Sequence, residues 1–255
     1  MRDVLEAVAD GELSPAAAEA RLSGYVTTAA GRFDAAREHR RGAPEGILAA
    51  GKTPAEVAAL AAAALESTGR ALVTRAGEDD VAAVAETVDA EIDAAVDLDH
   101  DERARTLVAR TDRFEPPSID ATVGVVTGGT ADAAAAGEAE TVLDAMGATV
   151  ERVDDVGVAH LGRVLDHLEL LREADVLVVA AGREGALPTV VAGLVDTPVV
   201  GLPISTGYGH GGDGEAALAG LLQSCTVLSV VNVDAGFVAG TQAGLIARAV
   251  AAARE

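Results

Sequence analysis

A change of texture at Glu115-Pro116-Pro117-Ser118 constrains this chain more than any other feature. Consecutive prolines cannot continue a helix or a central strand, so any regular element stops there. Beyond that break, short apolar runs alternate with helical segments. The strand candidates are Ala121–Thr127, Thr149–Val153, Val176–Ala180, Pro198–Leu202 and Leu228–Val233. Helices fall near Ala133–Met146, Leu161–Arg172, Leu187–Val195, Glu215–Leu222 and Val238–Ala253. Apolar strands separated by helices make a parallel sheet covered on both faces. Residues 119–255 are therefore expected to form a doubly wound, flavodoxin-like α/β domain.

Residues 1–115 read as a smaller, mainly helical domain. Ser14-Pro15 supplies an N-cap and first helical residue, and Thr53-Pro54-Ala55-Glu56 does the same with a capping-box glutamate before an alanine-rich run. Arg70–Thr74 is a short strand candidate, and Asp79 to about Ala95 is another helix.

Composition narrows the function classes. No apolar run reaches the roughly 18 residues that span a bilayer, and the start lacks the basic-then-apolar order of a signal peptide, so a soluble cytoplasmic protein is expected. One cysteine makes no internal disulfide and no cysteine-rich zinc site. A net charge of -22 repels phosphate backbones and argues against nucleic acid; Arg37 to Arg41 is the one short basic cluster. The acidity is spread along the chain and Lys52 is the only lysine, a pattern that fits adaptation to high salt. Lys52 also stands out as a compact ammonium where arginine serves every other basic position, though chance retention explains it as well.

In a doubly wound fold, ligands bind beyond the carboxyl ends of the strands. The loops placed there are Thr127–Asp132, Ala181–Pro188 and Pro203–Gly212. Gly128 and Gly129 let backbone amides approach an anion, with Thr130 and Asp132 able to cap the next helix; an ordinary strand-to-helix turn reads the same way. Glu184, flanked by glycine and stopped by Pro188, could take a proton or bind a magnesium ion, or simply complement a helix dipole. The stretch Gly207–Gly212 is flexible enough to close over a substrate, or to be a solvent loop. Cys225 follows Gln223-Ser224 at a helix end. A lone free cysteine is usually a small buried hydrophobe, and nothing in the spacing alone marks a lowered thiol pKa.

Ordered blocks of sequence add a resemblance. They include Val125–Asp132, Asp154-Asp155-Val156-Gly157-Val158-Ala159, Gly182–Pro188, Gly193-Leu194-Val195-Asp196, Ser205-Thr206-Gly207-Tyr208-Gly209, Gln223-Ser224-Cys225 and Val231–Phe237. In the first half, Asp34-Ala35-Ala36-Arg37, Arg41–Glu45, Gly51-Lys52-Thr53 and Thr74-Arg75-Ala76 agree with them. Over about residues 30 to 250 the chain resembles the LarB family, whose C-terminal domain is similar to the PurE class of aminoimidazole ribonucleotide carboxylases and mutases.

The resemblance implies carboxylation of the pyridinium ring of nicotinic acid adenine dinucleotide and hydrolysis of its phosphoanhydride, a step toward the nickel-pincer nucleotide cofactor. It makes Cys225 the covalent nucleophile. With that role given, Glu184 and Asp132 are candidates to move a proton or hold Mg2+. Gly128, Gly129, Thr130, Gly185, Ser205, Thr206, Gly207 and Lys52 are candidates for phosphate and carboxylate recognition. The expected partners are the dinucleotide and carbon dioxide or bicarbonate, with no organic cofactor, in a homo-octamer or another closed assembly with shared sites. Two departures stand out: Gly162 rather than a histidine precedes Arg163, leaving His160 without the family's position, and His210 and Asp213 occupy a run that is more apolar in the family. Purine-pathway carboxylase or mutase activity and a non-catalytic nucleotide-binding regulator are the rival readings.

Overall fold

A computed structural model describes residues 2–207 and 209–254, and Tyr208 of the glycine-rich block lies outside the described residues. The chain divides into two compact units, Met1–Glu115 and Pro116–Glu255. Among the described residues no helix is long and apolar enough to cross a membrane.

The first unit runs α1 (Arg2–Ala9), α2 (Pro15–Ser23), β1 (Val26–Thr28), β2 (Gly31–Phe33), α3 (Arg37–Arg41), β3 (Ile47–Leu48), α4 (Pro54–Thr68), β4 (Arg70–Thr74), α5 (Glu78–Glu91), β5 (Val96–Asp101) and β6 (Thr106–Thr111). Both sequence-predicted caps are present. Ser14 Oγ accepts from the Ala17 amide, and Thr53 and Glu56 close a reciprocal capping box, which holds the Glu56 carboxyl below its usual range through the Thr53 amide. The unit is less helical than its composition implies. β3, β4, β6 and β5 form a four-stranded sheet in that order, with β3 parallel to β4 and the other pairs antiparallel. α4 buries Val57, Ala61, Ala64 and Leu65 in a core shared with Val73 and Leu107.

The second unit runs β7 (Thr122–Thr127), a 3-10 turn at Thr130–Asp132, α6 (Ala133–Met146), β8 (Thr149–Val153), a 3-10 turn at Val158–His160, α7 (Gly162–Leu165), α8 (Leu168–Glu173), β9 (Val176–Ala181), α9 (Ala186–Ala192), β10 (Val199–Pro203), α10 (Glu215–Leu222), β11 (Ser229–Val230) and α11 (Gly236–Ala252). Its five strands pair in the order β11-β10-β9-β7-β8, all parallel. This is the doubly wound sheet expected from the alternation. The central β9 is buried along its whole length, and alternation across the pleat gives each face its own partners. Leu177, Val179 and Ala181 join Leu171, Leu187 and Val191 in one core. On α6 and α11 small residues bring the backbones together: a Cβ on Gly240 would collide with the Ala139 main chain. Leu161–Arg172 is two short helices rather than one, and Leu228–Val233 shortens to a two-residue edge strand.

Candidate active site at the strand switch point

The strand order reverses direction between β7 and β9, because β8 lies on one side of β7 and the later strands on the other. At such a point the loops leaving neighbouring strands diverge and open a crevice. Here the crevice has a volume of about 650 Å³ and is walled by Gly128, Gly129, Asp132, Gly157, Glu184 and Thr206 among others. A smaller cavity of about 140 Å³ adjoins it through the shared residues Arg183, Glu184 and Gly207, with Ser205 and His210 in its wall.

The crevice is shaped by close backbone contacts that only glycine permits. A Cβ on Gly157 would lie 2.6 Å from the Gly128 carbonyl oxygen, and one on Gly182 would overlap the Thr206 carbonyl oxygen. The β8 end is pinned by Thr127, whose fully buried hydroxyl donates to Asp154 Oδ1 at 2.8 Å and accepts from the Asp155 amide. In the third loop Ser205 offers its amide to Asp234 Oδ1 at 2.9 Å. Three loops are thus set against one another before any ligand arrives.

Asp132 is 5 % exposed, and its Oδ2 accepts from the Gly129 amide at 2.8 Å. It turns back onto the glycine pair; no side-chain bond caps α6, although a helix cap is what the sequence suggests. Burial pushes the Asp132 carboxyl above its ordinary range, and the Gly129 and Gly128 amides offset only part of that push. A carboxyl held this way can exchange a proton with a bound molecule. Glu184 is the opposite case: its carboxylate is mostly exposed and meets Arg183 only at 4.0 Å.

The structure brings together Gly128, Gly129, Asp132, Glu184, Thr206 and Gly207 in the crevice, and Ser205 in the adjoining cavity. Thr130 is exposed and outside both walls. Gly185 has φ +67° and sits behind the crevice against Ala217 and Leu221, where it lets the loop turn into α9. His160 is exposed, its ring stacked beside Gly162, and it too lies outside the walls. Lys52 belongs to the first unit, where its ammonium donates to the Leu48 carbonyl at 2.7 Å. Arg183 was not singled out by the sequence reading, yet it lines both cavities; its signal was an arginine between Gly182 and Glu184 at a strand end.

Cys225 is exposed, contrary to the buried-hydrophobe expectation for a lone thiol. It stands on the α10–β11 connection and contributes to neither cavity wall. Its neighbour Thr226 donates to the Thr189 carbonyl and rests near Gly193 at the carboxyl end of α9, whereas Gly185 marks the amino end. Seven residues of helix at about 1.5 Å each place roughly 10 Å between those ends. Leu222 and Val227 beside the thiol are 64 % and 97 % exposed.

Among known proteins, residues 25–111 match the LarB/PurE-like N-terminal domain and residues 122–255 match AIR carboxylase. An uncharacterized protein of Methanocaldococcus jannaschii is 35 % identical over 254 residues, covering 97 % of each chain. With both domains matched in order, the chain belongs to the LarB family, built from the N-terminal and PurE-like domains of a carboxylase-type enzyme.

Proposed function

We propose that this protein carboxylates the pyridinium ring of nicotinic acid adenine dinucleotide and hydrolyses its phosphoanhydride, yielding pyridinium-3,5-biscarboxylic acid mononucleotide and AMP. The observation that carries this reading over purine-pathway chemistry is the LarB-type N-terminal domain ahead of the carboxylase domain.

A cationic ring is a poor nucleophile toward carbon dioxide. Addition of the Cys225 thiolate to a ring carbon cancels the charge and leaves an enamine. The carbon meta to the existing carboxylate then forms a bond to carbon dioxide, loses its proton to a base and expels the thiolate, restoring the aromatic cation. Asp132, whose carboxyl is raised by burial, and Glu184 are the proton-handling groups that line the crevice. Attack of water on the phosphoanhydride is a separate reaction that releases AMP. Gly128, Gly129, Ser205, Thr206 and Gly207 supply short polar groups and amides for phosphate and carboxylate, and Lys52 a compact charge for the same purpose.

Magnesium commonly binds through one or two carboxylates together with substrate phosphates. The exposed Glu184 carboxylate, in one crevice with Asp132, fits that habit, and the ion would neutralise phosphate charge there. Because Cys225 lies outside the cavity walls of its own chain, the reading completes each site with Cys225 from a second copy in a homo-oligomer. The exposed Leu222 and Val227 give that contact an apolar surround.

Mass spectrometry of products formed from nicotinic acid adenine dinucleotide, bicarbonate and magnesium tests the proposal. AMP and a ring-carboxylated mononucleotide are expected only when bicarbonate is present. Turnover of aminoimidazole ribonucleotide with none of the pyridinium substrate would assign the chain to purine chemistry, and turnover of neither would leave it a binding protein.

A further inference from the structure

The small cavity beside the crevice has a charge pattern that the proposed chemistry does not use. Among the described residues, Arg183 and His210 are the only arginine and histidine in the walls of the two cavities, and both lie in the small one. Ser205, Gly207 and Gly211 line the same space, and the Ser205 hydroxyl and the Gly207 and Gly211 amides make no hydrogen bond to described residues. Residues with four kinds of donor therefore border about 140 Å³, a space of the size that holds one tetrahedral anion with its water.

The loop that carries His210 follows a defined path. Gly211 and Gly214 have φ of +76° and +80°, and a Cβ would lie 2.8 Å from Ala216 Cβ at the first and 2.5 Å from Val233 Cγ1 at the second. The Gly211 and Gly212 carbonyls accept from the Ala216 and Glu215 amides, which fastens the loop to the start of α10. The exposed His210 thus shares a cavity wall with Arg183, on a loop whose glycines leave no room for a Cβ at 211 and 214.

We propose that this cavity is a phosphate subsite in which His210 and Arg183 grip one phosphate of a molecule lying in the adjoining crevice. A phosphate suits it better than a carboxylate because three peripheral oxygens can meet several separate donors, whereas a carboxylate presents two in one plane. Glu184 also borders the cavity and repels an anion, so the phosphate sits toward the Arg183 and His210 wall. The source of the phosphate, a dinucleotide, rests on the function proposed above; the subsite itself does not.

The test is a titration of the full chain with inorganic phosphate, followed by calorimetry or phosphorus NMR, with acetate run in parallel. Saturable phosphate binding is expected, with acetate at least roughly tenfold weaker. His210→Ala should weaken phosphate roughly tenfold, the loss of one charge-assisted hydrogen bond, while His210→Lys retains most of it. His167→Ala, exposed between α7 and α8, should bind as wild type does. Wild-type affinity in His210→Ala, equal binding of acetate, or no saturable binding would overturn the subsite. Phosphate binding without any turnover of the dinucleotide would sink the carboxylase reading and leave the subsite standing.

Discussion

The crevice and the Cys225 turn are built on opposite principles. The crevice is fixed by backbone: glycines at 157 and 182 allow carbonyls to touch, Thr127 locks the β8 end, and Asp132 is buried against the glycine pair. The Cys225 turn is exposed, flanked by uncovered apolar side chains, and leads into an edge strand only two residues long. The groups proposed for binding and proton transfer are therefore preorganised within one chain. The proposed nucleophile sits where another surface must cover it before a thiolate could work in a dry site.

Mixing two inactive variants breaks or sharpens that contrast most strongly. Cys225→Ser and Glu184→Gln are each expected to be nearly inactive in carboxylation. Unfolded and refolded together, they should regain activity, approaching about a quarter of the wild-type level when each site draws one residue from each of two copies. Mixtures no more active than their components would place both residues of a working site on one chain.

Filling the backbone contact tests the crevice side. Gly182→Ala puts a Cβ into the Thr206 carbonyl and should cost about 1–3 kcal/mol of stability, seen as a lower urea midpoint, with a larger loss of turnover. An unchanged midpoint would mean that the two loops yield freely. Lys52→Arg, smaller again, should reduce turnover several-fold while leaving the thermal midpoint nearly unchanged, because a planar fork does not reproduce a point charge. Wild-type kinetics in that variant would make Lys52 an ordinary surface residue tied to the Leu48 carbonyl.

The smallest effect concerns Asp132 and pH. Its native carboxyl is raised by burial, so the stability it contributes is complete below about pH 3.9, the unfolded value, and is lost as pH rises through the native one. Asp132→Asn keeps an acceptor for the Gly129 amide and removes that loss. The variant should gain on wild type, by under about 1 kcal/mol, as denaturation is repeated from pH 4 to pH 8. Parallel curves across that range would show that the carboxyl carries no burial penalty.

Much of the carboxylase domain was legible because its central strands β7, β9 and β10 are buried on both faces and so read as apolar runs; α6 and α10 begin and end where periodicity and glycine place them. The N-terminal sheet was harder to read. β5, Val96-Asp97-Leu98-Asp99-His100-Asp101, is an almost wholly exposed edge strand whose acidic residues look like a solvated loop, and its partner β6 went unassigned with it. At the site, glycine-rich strand ends pointed to Gly128, Gly129 and Glu184. Composition could not show that Asp132 turns backward, that Gly185 faces away, or that Arg183 lines both cavities, since each depends on how separate loops meet.

Fixation of labelled bicarbonate by wild type and by Cys225→Ser bears most directly on the central claim. The thiol is exposed, so serine should leave the thermal midpoint almost unchanged. A serine hydroxyl is far less ionised and less nucleophilic near neutral pH, so label entering the pyridinium ring should fall by orders of magnitude, while AMP release, followed separately, need not fall with it. A folded serine variant that fixes label at the wild-type rate would contradict covalent catalysis by Cys225.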